Sequence, residues 1–162
     1  MRNAKLLALV VTVAVVMSAA VAIGQGPLPY GPSITLEQAK KAMAAAEAEA
    51  RKNNWDVVIA VVDSGGNIVM LQRLDNTQFG SVEVARSKAF TAVAFRRPTK
   101  VFQDLIGQGG ANLRLLKLEG ASVLEGGVPI VNGGKIIGGI GVSGVTSQQD
   151  AQIAQAGADA VK

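Results

Sequence analysis

The sequence predicts a mixed α/β (α+β) domain, an antiparallel sheet with helices packed on its faces. Two hairpin signatures and three amphipathic helical stretches carry that expectation. Asn132-Gly133 lies between the apolar runs Val128–Val131 and Lys135–Val142, and that dipeptide tolerates the positive φ angles of a tight hairpin turn. Val57–Val62 is an unbroken apolar run followed by Asp63-Ser-Gly-Gly-Asn67 and Ile68–Arg73, which reads as strand, turn and returning strand, the first covered on both faces. Helical spacing recurs in Thr35–Lys52, Ser81–Phe95 and Ser147–Val161.

The chain has 162 residues, no Cys, no His and a formal charge of +4. Basic Met1–Lys5, apolar Leu6–Val16 and small-residue Ser18–Gly24 follow the three-part order of a secretory signal peptide. Residues 1–24 are therefore expected to be a leader cut within Ala22–Gly24, with a mature start near Ile23 or Gln25. An uncleaved anchor is the alternative, because Leu6–Ile23 is 18 residues long and just reaches spanning length. Export places the protein in the periplasm or outside the cell, with no stable membrane insertion once the leader is gone. Without Arg2 and Lys5 the 16 basic residues become 14 against 12 acidic ones, a net +2. So modest a charge with few aromatics argues against nucleic acid as partner. The remaining roughly 138 residues suit one domain with a respectable core. Lacking disulfides, that domain must draw its stability from packing and from oligomer contacts.

Residues 25–34, with Pro27, Pro29 and Pro32, read as an extended tether, and 35–162 as the domain. Thr35-Leu-Glu-Gln38 is a capping box, and Leu36, Ala39, Met43, Ala46 and Ala50 mark the buried stripe of the first helix. Leu74–Phe79 is a polar loop, and Ser81 can cap the next helix. That helix carries two stripes: Val82, Ala85, Ala89 and Ala92, then Val84, Lys88, Thr91 and Phe95. The ammonium and hydroxyl of the second stripe either line a pocket or do something plainer. The plainer reading has the Lys stem lie over the surface and the Thr bond back to its own helix. Arg96-Arg97-Pro98 stops the helix. Thr99 can cap a short helix through Ile106, and Gly107–Gly110 is a flexible break. Asn112–Leu124 fits helix or strand equally. Ser147-Gln-Gln-Asp150 reads as a second capping box before the terminal helix.

Eight of the 19 glycines fall between Gly126 and Gly144. Glycine inside a strand marks a bulge or close approach of another backbone, a helix or a flat ligand. Gly139-Ile-Gly141-Val-Ser-Gly144 matches GxGxxG, yet the strand and acidic residue that a dinucleotide site needs downstream do not follow. Gly141-Val-Ser143-Gly144-Val145 lacks the last glycine of a nucleophile elbow. The absence of His and Cys removes the usual general base, thiolate nucleophile and soft metal ligands. Acid–base work would fall to Asp63, Asp75, Glu119, Glu125, Asp150 or a buried Lys88, and turns and caps account for Asp63, Asp75 and Asp150.

Three stretches taken together, Ile59–Gly66, Arg86–Ala92 and Gly126–Gly144, resemble the GlcG/HbpS family, which is related to the PduO C-terminal domain. The resemblance covers the chain from about Thr35 onward. It implies a profilin-like domain of the architecture read above, self-assembled into a homo-oligomer, and haem as cofactor. By motif it carries over Lys88 and Thr91 on the helix and Gly138, Gly139 and Gly141 on the hairpin. Chemistry alone adds Arg73, Arg86 and Arg96, because arginines pair carboxylates such as haem propionates bidentately. Without His or Cys, the iron would take the Thr91 oxygen, a Met sulfur (Met43 or Met70), Tyr30 or a lysine. Two other readings stand beside an exported haem-binding scavenger or sensing accessory. One is an enzyme or auxiliary acting on a small acid or a corrinoid, its acidic ligand held by Lys88 and the helix amides near Ser147. The other is a structural oligomer without a dedicated ligand.

Overall fold

The computed structural model describes residues 26–161. The leader, its cleavage site and the first tether residue fall outside the described residues. The element order is α1 (Leu36–Lys52), β1 (Val58–Asp63), β2 (Ile68–Arg73), α2 (Ser81–Ala94), α3 (Lys100–Gly107), a 3-10 segment (Gly110–Lys117), β3 (Gly127–Asn132), β4 (Lys135–Ser143) and α4 (Ser147–Asp159). Both predicted hairpins are present, and they join through their inner strands. The sheet runs β2-β1-β4-β3, with every neighbouring pair antiparallel. The mixed fold with an antiparallel sheet is as the sequence predicts.

Strand alternation sorts β1 between two cores. Ile59 and Val61 join Ala39, Ala42, Met43 and Ala46 of α1 and Ile153 and Ala154 of α4 on one face. Val58, Ala60 and Val62 meet Ala85, Ala89 and Val93 of α2 on the other. The uninterrupted apolar run is therefore a strand covered on both sides. The capping box at Thr35 and Gln38 is formed in full. One expectation about α1 fails: Leu36 is 52% exposed, and the fully buried Ala42 takes its place in the stripe. At the first helical position the side chain lies over the solvated end of the helix.

The glycines of the second hairpin mark where α2 lies down. A methyl on Gly141 would sit inside contact distance of the Ala85 carbonyl and the Ala89 amide, and one on Gly127 would meet the Lys88 carbonyl. Gly139 faces the same helix, with 2.7 Å between an added methyl and the Ala89 carbonyl oxygen. Gly138 points to the opposite face, under Ile34 and the Val62 carbonyl. Of the possible neighbours for these bare positions, helix backbone occupies three.

Residues 29–34, expected as an extended tether, are hydrogen-bonded to β4. The Gly31 amide donates to the Ile136 carbonyl at 2.8 Å and the Ile34 amide to the Ile137 carbonyl at 2.7 Å. The polar loop and the caps around α2 and α3 differ in detail from expectation. Gly80, not a side-chain donor or acceptor, precedes α2, and the Ser81 hydroxyl pairs with Ser143 at 3.1 Å. Thr99 makes no cap bond; its hydroxyl accepts from the Gly127 amide at 2.9 Å and pins β3 instead. Among the described residues, no helix is long and apolar enough to cross a membrane.

Close seating of α2 makes a stability prediction. Gly141→Ala should cost at least about 1–3 kcal/mol, the usual penalty of overpacking a filled interior. Gly107→Ala, where an added methyl meets nothing within 4 Å, should be neutral or slightly stabilising. Urea unfolding of both variants reads the difference, and equal midpoints would contradict the close approach.

Candidate functional site

The inner face of α2 carries a charge into the core. Lys88 Nζ lies 2.7 Å from Asp150 Oδ2 and donates to the Val142 carbonyl at 2.9 Å. The side chains are 2% and 3% exposed, so the pair ties α2, β4 and α4 together out of water. Burial pushes the Asp150 carboxyl above its ordinary range, against the Lys88 ammonium, which pulls it down. Two expectations are corrected here. Lys88 does not lie over the surface, and its charge is met internally rather than by an exogenous acid. Asp150 is no capping residue: the box before α4 is Thr146 with Gln149, one position earlier than expected. In this register Asp150 is buried and faces Lys88.

Thr91 lies one turn further along α2 and is fully buried. Its hydroxyl donates to the Ser87 carbonyl at 2.7 Å, the helix back-bond expected of the plainer reading, and accepts from the Ser122 amide at 2.8 Å. It therefore clasps the connector that runs from the 3-10 segment to β3. Two cavities of about 200 and 240 Å3 flank that clasp. Arg86, Ser87, Phe90 and Gly120 line the first, and Glu83, Val84, Ser87, Ala121, Ser122 and Leu124 the second. Both lie between the outer flank of α2 and the connector. Arg86 pairs with Glu83 at 2.9 Å and is half-exposed, so it can swing to another anion. Leu113, Leu116 and Leu124 are 48%, 59% and 47% exposed and add apolar surface from the same segment of chain.

The other residues singled out in the sequence are dispersed. Arg96 sits at the end of α2 with φ 54° and lies 5.5 Å over the Tyr30 ring, whose hydroxyl donates to the Val93 carbonyl. Arg73 stacks on Phe79 at 4.8 Å and donates to the Thr77 carbonyl. Met43 is buried among the side chains of α1 and α4, and Met70 packs against the same core. Among the named candidates, Arg86 lines the first of the two cavities, and Thr91 holds Ser122, which lines the second. Sequence reasoning missed Ser87, Phe90, Gly120 and Ser122, whose residue types carry no signal for a site. A third cavity, of about 280 Å3, lies apart from these, between Arg51, Asn54, Trp55, Asp56 and Leu74. Among the described residues, no group of three or more His, Cys, Asp or Glu is placed to hold a metal ion.

A family model described as haem degrading protein HbpS-like matches residues 34–159. The chain belongs to the HbpS-like family. Protein GlcG of Escherichia coli K12 is 42% identical over 110 residues, 68% of this chain and 81% of GlcG. The crystal structure of HbpS superposes with a TM-score of 0.75 at 37% identity, covering 88% of this chain and 99% of that one. A complex of PduOC with haem superposes with a TM-score of 0.73 at 29% identity, over 80% of this chain and 96% of PduOC. The family resemblance and the single α+β architecture expected from the sequence both hold for this HbpS-like chain.

The Lys88–Asp150 pair predicts strong non-additivity. Lys88→Met and Asp150→Leu should each cost about 3–5 kcal/mol by stranding a buried partner, while the double variant should cost less than either. With the folded-state carboxyl raised, ionised Asp150 opposes folding as pH climbs above the unfolded value, and the opposition disappears as pH falls. Removing Lys88 takes away the pull that lowers the carboxyl, so the rise is greater in Lys88→Met, and its deficit against the parent should narrow on acidification from pH 7 toward 4. Chemical denaturation across that range checks both statements.

Proposed function

We propose that this protein is an exported haem-binding member of the HbpS-like family, and that the haem lies on the flank of α2. The single observation that carries the placement is the pair of cavities between α2 and residues 120–124, with one wall apolar and Arg86 at its rim. Each cavity is smaller than the ~300–1,000 Å3 usual for ligand sites. A macrocycle would therefore use both, with Phe90, Val84 and Leu124 against the ring. Arg86 would hold a propionate, exchanging its exposed bond to Glu83 for one to the ligand. The walls fit the porphyrin; the iron ligand set is weak. The chain has no His or Cys, Met43 lies in the opposite core, and the Thr91 oxygen is already shared by Ser87 and Ser122. Haem, when bound, would supply iron redox chemistry and a strong absorbance, and with no His or Cys to take the iron its affinity would be modest.

Family membership and the solved haem complex of PduOC support haem as the ligand. Export rests on the leader pattern of residues 1–24. Assembly of several copies is supported by the exposed Leu113 and Leu116 of the 3-10 segment and Leu124 of the connector, which a neighbouring subunit would cover. A scavenging or sensing-accessory role would suit an exported haem binder of modest affinity.

Titrating leaderless protein with haemin tests the ligand and its place together. A saturable shift of the haem band at one per subunit is expected, weakened about threefold in Arg86→Ala, the scale of an exposed ion pair. A shift that never saturates removes haem as ligand. Saturation with unchanged affinity in both Arg86→Ala and Phe90→Ala would move the haem to another surface.

A further inference from the structure

Residues 120–125 wall both cavities, Gly120 the first and Ala121, Ser122 and Leu124 the second, and are joined to α2 by the Ser122 amide and the Thr91 hydroxyl, at 2.8 Å. They have no regular secondary structure, and glycines bound them, Gly120 at φ 70° and Gly126 at φ 123°. Toward Gly126 the strap is fastened firmly. The Glu125 amide donates to Gln103 Oε1 at 2.9 Å, the Gln103 amide returns a bond to Glu125 at 3.2 Å, and Glu125 is buried. Toward Gly120 it is fastened loosely, by an Ala121 amide bond to the Leu118 carbonyl at 3.3 Å, and Gly120 itself is exposed. The two ends differ, so the strap can lift at its Gly120 end while the Glu125 end stays anchored.

We propose that residues 120–125 are a gate: the strap closes over Thr91 in the free protein and lifts to admit the ligand. Lifting breaks the Ser122–Thr91 bond, merges the two cavities into one cleft wide enough for a flat macrocycle, and uncovers the Thr91 hydroxyl. This inference rests on the haem reading and adds its regulation. Binding that requires the lifted strap is weakened by the fraction of protein in which the strap is up, so any change that favours lifting speeds and tightens capture.

Gly120 offers a graded test, because its φ suits Gly, is tolerated by Asn and strains Ala. Hydrogen exchange of the Ser122 amide reads lifting without any ligand, with the Ile140 amide of β4 as the core reference. Gly120→Ala should raise Ser122 exchange about tenfold and haemin association by the same factor. Gly120→Asn should leave both near the parent. A Ser122 amide as slow as that of Ile140, or unmoved in Gly120→Ala, overturns the gate. Faster exchange with unchanged haemin association also overturns it and leaves haem binding in place. Should none of the three proteins bind haemin, the haem reading falls and the gate with it, a result distinct from the other two.

Discussion

The fold depends on how closely α2 approaches the sheet. Gly127, Gly139 and Gly141 lie on adjacent strands and clear a floor onto which helix backbone, not side chains, is lowered. Seating at that depth drives Lys88 into the interior. An ammonium cannot remain there unpaired, and Asp150 of α4 meets it beside Gly126 and the Val142 carbonyl. The glycine floor and the buried pair are two halves of one constraint. The first sets the height of α2, and the second fixes its rotation against β4 and α4. A buried ion pair is weak evidence for stability in itself, and its value here lies in specifying one arrangement of three elements.

Because the inner face of α2 is committed in this way, the proposed site lies on its flank. There the helix presents Arg86, Ser87 and Phe90 beside a connector that forms no helix or strand of its own. Thr91 lies on the border between the two regimes. Its hydroxyl closes one bond inside the helix and one to the connector, so its role in this structure is structural, and under the proposed gate it would meet a ligand only once the connector lifts. A rigid helix next to a lightly fastened strap is a common way to make a site that is both shaped and accessible.

Much of this architecture is legible in the sequence, for physical reasons that differ by element. The hairpins announce themselves because Asn132-Gly133 and Asp63–Asn67 have turn chemistry between β-forming runs. The first helix does so because its capping box is complete. The second capping box was misplaced by one residue since Thr146-x-x-Gln149 and Ser147-x-x-Asp150 satisfy the same pattern, and only the burial of Asp150 separates them. The Lys88–Asp150 pair spans 62 positions, and no local pattern signals a contact of that range. Leu113, Leu115 and Leu116 gave no clear period because their segment is a 3-10 turn that buries none of them. Ser122 acts through its backbone amide, which every residue but proline possesses, so its part in the site could not be read from residue type.

The most direct test of where the site lies uses the paramagnetism of ferric haem on isotope-labelled leaderless protein. Haemin added stepwise should broaden the amide signals of Arg86, Ser87 and Phe90 and of residues 120–124, while those of α1 and β2 stay sharp. Broadening centred instead on Trp55 and Asp56, or on Tyr30 and Arg96, would contradict the placement on the flank of α2, and broadening spread evenly over the surface would contradict a dedicated site.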